Sequence, residues 1–353
     1  MSLPSLNQPF VSGFIPTSVG QVPRVSPDLV WADRIGAWKA RWGIGRMHYT
    51  VEPGMYALGT PDRHAPVFVT ANYKMSFDRL RQSMPNRNAW ILVLDTQGIN
   101  VWCASGKGTF GTAELVERIA SSRLTEVVSH RELILPQLSG PGVAAHEVKR
   151  VSGFKAIYGP IRAADLPAFL DAGKKALPEM RLKTFPLGER LALIPIELVA
   201  AVKAAFLLFV GFFVVGGLLG PGRFWSSGVA HGSLAAWALA ASVMAGAVLT
   251  PLGLPWLPGR AFSLKGLWPG LLLALLVLLF RWDGMGNSPV DLERLAWLLL
   301  IPALASYLAM NFTGASTYTS LSGVKKEMRR ALPLQIGAGA VGLGLWVASL
   351  VIS

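Results

Sequence analysis

The feature that most constrains this chain is a set of five long apolar stretches confined to its C-terminal half. A helix that crosses a bilayer needs about 20 mostly apolar residues. Residues 196–219, 229–252, 264–280, 292–312 and 332–352 qualify, the third being the shortest. Charge follows the same division. Residues 1–190 hold 23 Lys and Arg and 15 Asp and Glu, whereas residues 191–353 hold 10 and 5. One uniform water-soluble globule does not fit this pattern. The expected organisation is a flexible tail over 1–30, a cytoplasmic α/β domain over 31–190 and an all-α five-helix transmembrane domain over 191–353.

Loop charges predict the orientation. Arg181, Lys183 and Arg190 precede the first span, Arg260 and Lys265 separate spans two and three, and Lys325, Lys326, Arg329 and Arg330 precede the fifth. The intervening loops are poorer: one holds Arg223 alone, and the other offsets Arg281 and Arg294 with Asp283, Asp291 and Glu293. The alternation puts the N-terminal domain in the cytoplasm and the C-terminus outside, in a multi-pass protein of the inner (cytoplasmic) membrane. Met1 to Thr17 lacks the basic and apolar regions of a signal peptide, which agrees. No span carries a charge at its centre, which argues against transport. Glu197 and Lys203 read as a snorkelling pair at the inner end of span one. His231 and Pro302 read as structural, the proline as a kink.

The net charge of +13 is diffuse, without an Arg/Lys-rich run interleaved with aromatics, so no nucleic-acid partner is expected.

In the first half, apolar runs over 66–71, 89–94, 133–138 and 155–158 alternate with helical patterns over 76–83, 111–121 and 163–176. Strands alternating with helices predict an α/β domain with a mostly parallel sheet. Ligands of such sheets bind beyond the carboxyl ends of the strands. The loops expected there carry Thr70 and Asn72, the 95–109 segment, Gly140 to Gly142, and Gly159-Pro160. Their glycines let a backbone approach a large flat ligand.

The sole cysteine lies in Asn100-Val101-Trp102-Cys103-Ala104-Ser105-Gly106-Lys107-Gly108, after a strand and at the start of an expected helix. One cysteine excludes an intramolecular disulfide and any cluster site built from this chain alone. A lone cysteine is most often an inert core residue. Against that, a helix N-terminus favours thiolate, and a neighbouring lysine adds positive charge. Physics alone leaves packing, reactivity and metal ligation open.

The run Asn-Val-Trp-Cys-Ala-Ser-Gly-Lys resembles the signature of the mercury-methylating corrinoid protein family (HgcA type), over every position of that motif. The resemblance extends over roughly residues 40–350. It is more distant to the large subunit of the corrinoid iron–sulfur protein, which has threonine at the cysteine position and four cluster-binding cysteines in an N-terminal domain. It implies an α/β Rossmann-like corrinoid-binding domain followed by five transmembrane helices. It further implies a cobalamin-type corrinoid whose cobalt takes the Cys103 thiolate as lower axial ligand from a cap helix. A thiolate is a soft, strongly donating ligand. It would push electron density toward a methyl group on the opposite face, favouring departure to an electrophile such as Hg(II).

Carried over residue by residue, Asn100, Val101, Trp102 and Ala104 shape the cap helix, with ordinary packing the competing role for Trp102. Gly106 and Gly108 admit the ring. Lys107 tunes Cys103 or pairs with a corrinoid amide or phosphate; a solvated lysine is the competing reading. Thr70, Asn72, Gly140, Gly142 and Gly159 are expected corrinoid contacts by position. The resemblance also implies a ferredoxin-like partner with two [4Fe–4S] clusters as electron donor. With Cys103 on cobalt no second thiol remains for Hg(II), so that partner is the expected mercury carrier. A methyl-donor protein of the folate one-carbon pathway and the lipid bilayer complete the expected partners. A corrinoid methyl carrier of one-carbon or acetyl-CoA metabolism without mercury activity is the alternative. The hydroxyl-rich loop over 313–322 is expected to face the soluble domain or its cofactor, or to be a plain linker.

Overall fold

The computed structural model describes residues 3–280, 292–313 and 321–352. The chain divides into two compact units, Met1–Lys183 and Thr184–Ser353. The hydroxyl-rich loop lies almost wholly outside the described residues, as do Arg281, Asp283 and Asp291.

The first unit is a mixed α/β domain. Its strands are β1 (Val11–Thr17), β2 (Gly20–Val25), β3 (Gly54–Leu58), β4 (Val67–Ala71), β5 (Ala89–Leu94), β6 (Glu132–Leu135) and β7 (Lys155–Tyr158). Its helices are α1 (Trp31–Arg41), α2 (Lys74–Gln82), α3 (Val101–Lys107), α4 (Thr112–Ser121), α5 (Leu124–Val127), α6 (Ala145–Ser152) and α7 (Leu166–Asp171). The sheet order is β1-β2-β3-β5-β4-β6-β7. Strands β5, β4, β6 and β7 run parallel, whereas β3 is antiparallel to β5 and β1 antiparallel to β2.

Two-residue periodicity sorts the side chains into two cores. Val67, Val69, Trp90, Leu92, Leu133 and Leu135 enter one, with Leu115 and Ile119 of α4 and Val148 of α6. Phe68, Ile91, Val93 and Ile134 enter the other, with Phe77 and Leu80 of α2 and Phe169 of α7. Strands buried on both faces read as continuous apolar runs, which is why β4 and β5 stand out in the sequence.

The tail expected over 1–30 is corrected. Residues 11–25 form a hairpin, and β2 pairs with β3, itself unforeseen. Pro16 and Pro23 mask the strand pattern; proline is tolerated toward the edge of a sheet, where a missing ladder donor costs least. A buried ion cluster ties the following segment to the domain. Lys74 Nζ donates to Asp33 at 2.7 Å and to Asp78 at 2.6 Å, and Arg81 donates to Asp33 at 2.6 Å and to Asp78 at 2.8 Å. Arg81 also donates to the carbonyls of Ser26 and Asp28. Two cations and two carboxylates balance, which is the condition for burying charge at tolerable cost.

The second unit is helical: α8 (Leu187–Leu219), α9 (Phe224–Val243), α10 (Thr250–Gly253), α11 (Phe262–Phe280), α12 (Leu292–Met310) and α13 (Leu321–Ile352). Five helical segments are long and apolar enough to cross a membrane: Leu187–Leu219, Phe224–Gly253, Phe262–Leu279, Leu292–Thr313 and Ser322–Ile352. A π-helical turn, Met244–Leu249, joins α9 to α10. Small residues let the helices meet closely: a Cβ on Gly266 would lie 2.8 Å from the Ala305 carbonyl oxygen of α12.

Candidate functional site

From β4 the chain passes to β5 on one side, then returns to β6 on the other. The carboxyl ends of β4 and β6 therefore flank a topological switch point, where open α/β sheets bind ligands. Helix α3 packs there, against β4 and the 3-10 turn Gln137–Ser139 that follows β6.

Asn100 starts α3. Its Oδ1 accepts the backbone N–H of Cys103 at 2.9 Å, while its carbonyl accepts from Ala104 N–H. This is the usual way an N-cap side chain satisfies a first-turn donor. At the other end Gly108, with φ 86, supplies the left-handed cap. A seven-residue helix has little stability of its own, so its inner side must hold it. Ala104 and Ser105 are buried, and the Ser105 hydroxyl donates to the Val101 carbonyl at 2.7 Å. Gly142 lies against that inner side: a Cβ there would overlap the Phe110 carbonyl and come within 3.0 Å of the Ser105 backbone.

The outer side is different. Cys103 is half-buried in the first turn, and Trp102 is 37% exposed. Gly106, Lys107 and Gly108 are exposed, with open space where a Cβ on either glycine would sit. The structure thus gathers residues 100–108 on one short helix, with the thiol and both glycines accessible.

Other expected contacts fall elsewhere. Asn72 is buried beyond the end of β4. Its Oδ1 accepts the N–H of Thr96 at 3.1 Å and of Gly98 at 3.0 Å, and lies 2.8 Å from Thr96 Oγ1. Its Nδ2 donates to Asp95 at 3.1 Å. Asn72 therefore fastens the turn that leads from β5 into α3. Thr96 Oγ1 is also 2.7 Å from the Ile99 carbonyl; its single hydrogen serves one of the two acceptors. Thr70 is buried within β4, paired in register with Val93. Gly159 is buried and donates its N–H to the Leu135 carbonyl at 2.8 Å, extending the β6–β7 pairing. Gly140 belongs to the turn beside Gln137.

The Asp95–Glu114 bond was not foreseen. The Asp95 N–H donates to Glu114 of α4 at 2.8 Å, and Arg118 holds the same carboxylate oxygen. The i, i+4 spacing of Glu114 and Arg118 is the sequence signal for that pair. Among the described residues no three His, Cys, Asp or Glu side chains are placed to share a metal ion.

Residues 44–170 match the family model of the CO dehydrogenase/acetyl-CoA synthase delta subunit. That segment contains β3 to β7 and the whole of the α3 site. The chain is similar to the acetyl-CoA decarbonylase/synthase complex subunit gamma of Methanopyrus kandleri, 31% identical over 124 residues, covering 34% of this chain and 26% of that protein. The same subunit of Archaeoglobus fulgidus is 29% identical over 123 residues, covering 34% and 26%. The corrinoid/iron–sulfur protein large subunit of Moorella thermoacetica is 23% identical over 124 residues, covering 35% and 27%. The chain spans about a quarter of the length of these curated relatives. The matched segment excludes α1, the β1–β2 hairpin and the entire helical unit.

Proposed function

We propose that the chain is a membrane-anchored, corrinoid-dependent methyltransferase that forms methylmercury from Hg(II). The observation that carries this reading is the placement of Cys103. The only thiol of the chain sits half-exposed in the first turn of a capped helix over the switch point. The segment around it lies within the family match over residues 44–170, and the chain is similar over 124 residues to a protein named for its corrinoid.

The residues present fit such a cofactor. Apart from the adjoining backbone, no heavy atom lies within 4 Å of where a Cβ on Gly106 or Gly108 would sit, and this reading assigns that open space to the flat macrocycle, which a side chain there would obstruct. Cys103 would hold cobalt, Asn100 and Trp102 would shape the helix against the ring, and Lys107 would meet a peripheral amide or phosphate. A bound corrinoid supplies a transferable methyl group. The chain's own part is to fix the thiolate. Asn100 orients the first turn of α3, Asn72 fastens the turn before it, and Gly142 lets the inner side seat without a gap. A rigid, soft donor raises the electron density available for transfer to a thiophilic cation.

The Hg(II) substrate needs a thiol carrier from outside, because Cys103 is committed. A ferredoxin-like protein with two [4Fe–4S] clusters suits that role and the electron supply, and a protein of the folate pathway suits methyl supply. The domain at the switch point is Rossmann-like in this reading. The helical unit lies in the inner membrane with the α/β domain in the cytoplasm and the C-terminus outside, as the alternating basic loops imply.

The second reading, a corrinoid methyl carrier without mercury activity, draws on the acetyl-CoA complex subunits among the relatives. Anaerobic purification, corrinoid assay and the pair Cys103→Ala and Cys103→Thr separate the two. The first reading expects a thiolate–cobalt absorption signature lost in both variants together with methylmercury formation. Corrinoid bound with an unchanged signature in Cys103→Ala refutes the ligand assignment. Wild-type protein that turns over methyl groups but never methylates Hg(II) favours the carrier.

A further inference from the structure

Helix α1 turns one side to the domain and leaves the other bare. With 3.6 residues per turn, Asp33, Gly36, Ala37 and Ala40 share the inner side. Ala40 is fully buried, and Asp33 is held by Lys74 and Arg81. The opposite side carries Trp31, Ile35, Trp38 and Trp42 at i, i+4, i+7 and i+11. Trp31 is 71% exposed and Trp38 62%. The Trp38 and Trp42 rings meet edge to face at 6.2 Å.

Arg34 and Arg41 border that stripe on one flank and Lys39 on the other. The one carboxylate of α1, Asp33, is buried and neutralised, so the outward surface is apolar and cationic, with no acidic side chain. Exposed apolar patches of this kind mark interaction surfaces. Tryptophan suits the boundary of a bilayer, where the ring is buried and the indole N–H stays wet. Arginine and lysine beside it suit anionic headgroups.

We propose that the outer side of α1 docks in the plane of an anionic phospholipid surface, giving the α/β domain a second membrane contact. The charge complementarity selects lipid as occupant, and the five apolar helices on the same chain keep the domain beside a bilayer. The proposal rests on the reading of those helices as membrane-spanning. It does not rest on the corrinoid reading.

The test uses the full chain carrying Cys103→Ala and Ile35→Cys, labelled at position 35 with the fluorophore NBD. A Lys149→Cys label on α6, in the same background, is the water-exposed control. The chains are placed in nanodiscs of phosphatidylcholine alone or mixed with phosphatidylglycerol. In anionic discs the position 35 label is expected to shift to the blue, to be quenched by doxyl-labelled lipid and to be shielded from iodide. The control is expected to stay open to iodide. Replacing Arg34, Lys39 and Arg41 with Gln is expected to lower the docked-to-free ratio roughly a hundredfold. A position 35 label open to iodide in both lipids overturns the proposal. So does a label shielded in detergent micelles as well and untouched by doxyl lipid, which would mean that protein covers the stripe. Carbonate extraction keeps the premise separate: a chain released from native membranes refutes the spanning helices, whereas a retained chain with an open label refutes only the docking.

Discussion

Removing the Asn72 side chain should loosen the turn that carries Cys103 while leaving the sheet intact. In Asn72→Ala the N–H groups of Thr96 and Gly98 lose their shared acceptor, Oδ1, at 3.1 and 3.0 Å. Both residues are buried. Leaving a buried donor unpaired costs about 1–3 kcal/mol. Two such donors give about 3 kcal/mol after partial relaxation, roughly a 150-fold rise in local opening. Hydrogen exchange read on a peptide covering residues 95–103 should accelerate by that order. Exchange in β4 and β5 should not, because their pairing and two-sided burial do not depend on this amide. Asn72→Asp keeps the acceptor but turns the Nδ2–Asp95 hydrogen bond at 3.1 Å into a meeting of carboxylates. Its damage should ease as pH falls far enough to protonate one of them. Exchange in Asn72→Ala within about twofold of the parent chain would refute the clamp, since even half of a typical hydrogen bond exceeds that effect.

Four further outcomes follow from the site and the ion cluster. Gly142→Ala forces a methyl group into the Phe110 carbonyl and the Ser105 backbone, so thermal melting should show a loss of about 1–3 kcal/mol with α3 displaced. Gly106→Ala has open space and gains helix propensity, up to about 1 kcal/mol; it should raise stability while lowering corrinoid content, and raised content would refute the assignment of that space to the ring. Lys74→Met leaves the buried Asp33 and Asp78 with Arg81 as their one remaining partner cation in the cluster and should cost about 3–5 kcal/mol in denaturant melts. Acid stability should track Asp33. Burial pushes its carboxyl upward, but Lys74 and Arg81 outweigh this and hold it below 3.8. A depressed folded-state value means a contribution that is full above 3.8 and lost as pH falls through the lower folded value. Asp33→Asn should be less stable at neutral pH and flatten that acid-side slope, which melts at stepped pH would detect.

Legibility in the sequence depended on the range of the interactions. Strand β5 coincides with the expected run because AWILVL is buried on both faces and needs no partner to be recognised. Strand β3, GMYAL, is as fully buried, but it is short and begins with glycine. The hairpin of β1 and β2 hides behind two prolines, and only pairing with β3 explains it. The ion cluster was half visible: Lys74, Asp78 and Arg81 share one helix face by spacing, but Asp33 lies on another helix. At the site, the start of α3 after a strand was local and readable, whereas its Asn100 and Gly108 caps emerged from the structure. The role of Asn72 was not, because its position at a strand end fits a ligand contact and a loop clamp equally. Only the three donors converging on its Oδ1 decide between them.

That convergence bears on why the site is built from so short a helix. Seven residues leave α3 dependent on its surroundings, and the structure places those surroundings on one side only. Asn100, Ser105, Gly142 and the Asn72 clamp all serve the inner side or the approach to it. The outer side, with Cys103, Gly106 and Gly108, is left without a filling side chain. A helix stabilised from behind holds a ligand atom in place without spending its front surface on packing. On the proposed reading, a cysteine committed to cobalt is not free to carry a soft metal as well, so the mercury carrier would be a partner with further thiols. If the proposed function holds, thiol-blocking such a partner alone should stop mercury methylation while leaving a cobalt–thiolate signature of this chain intact.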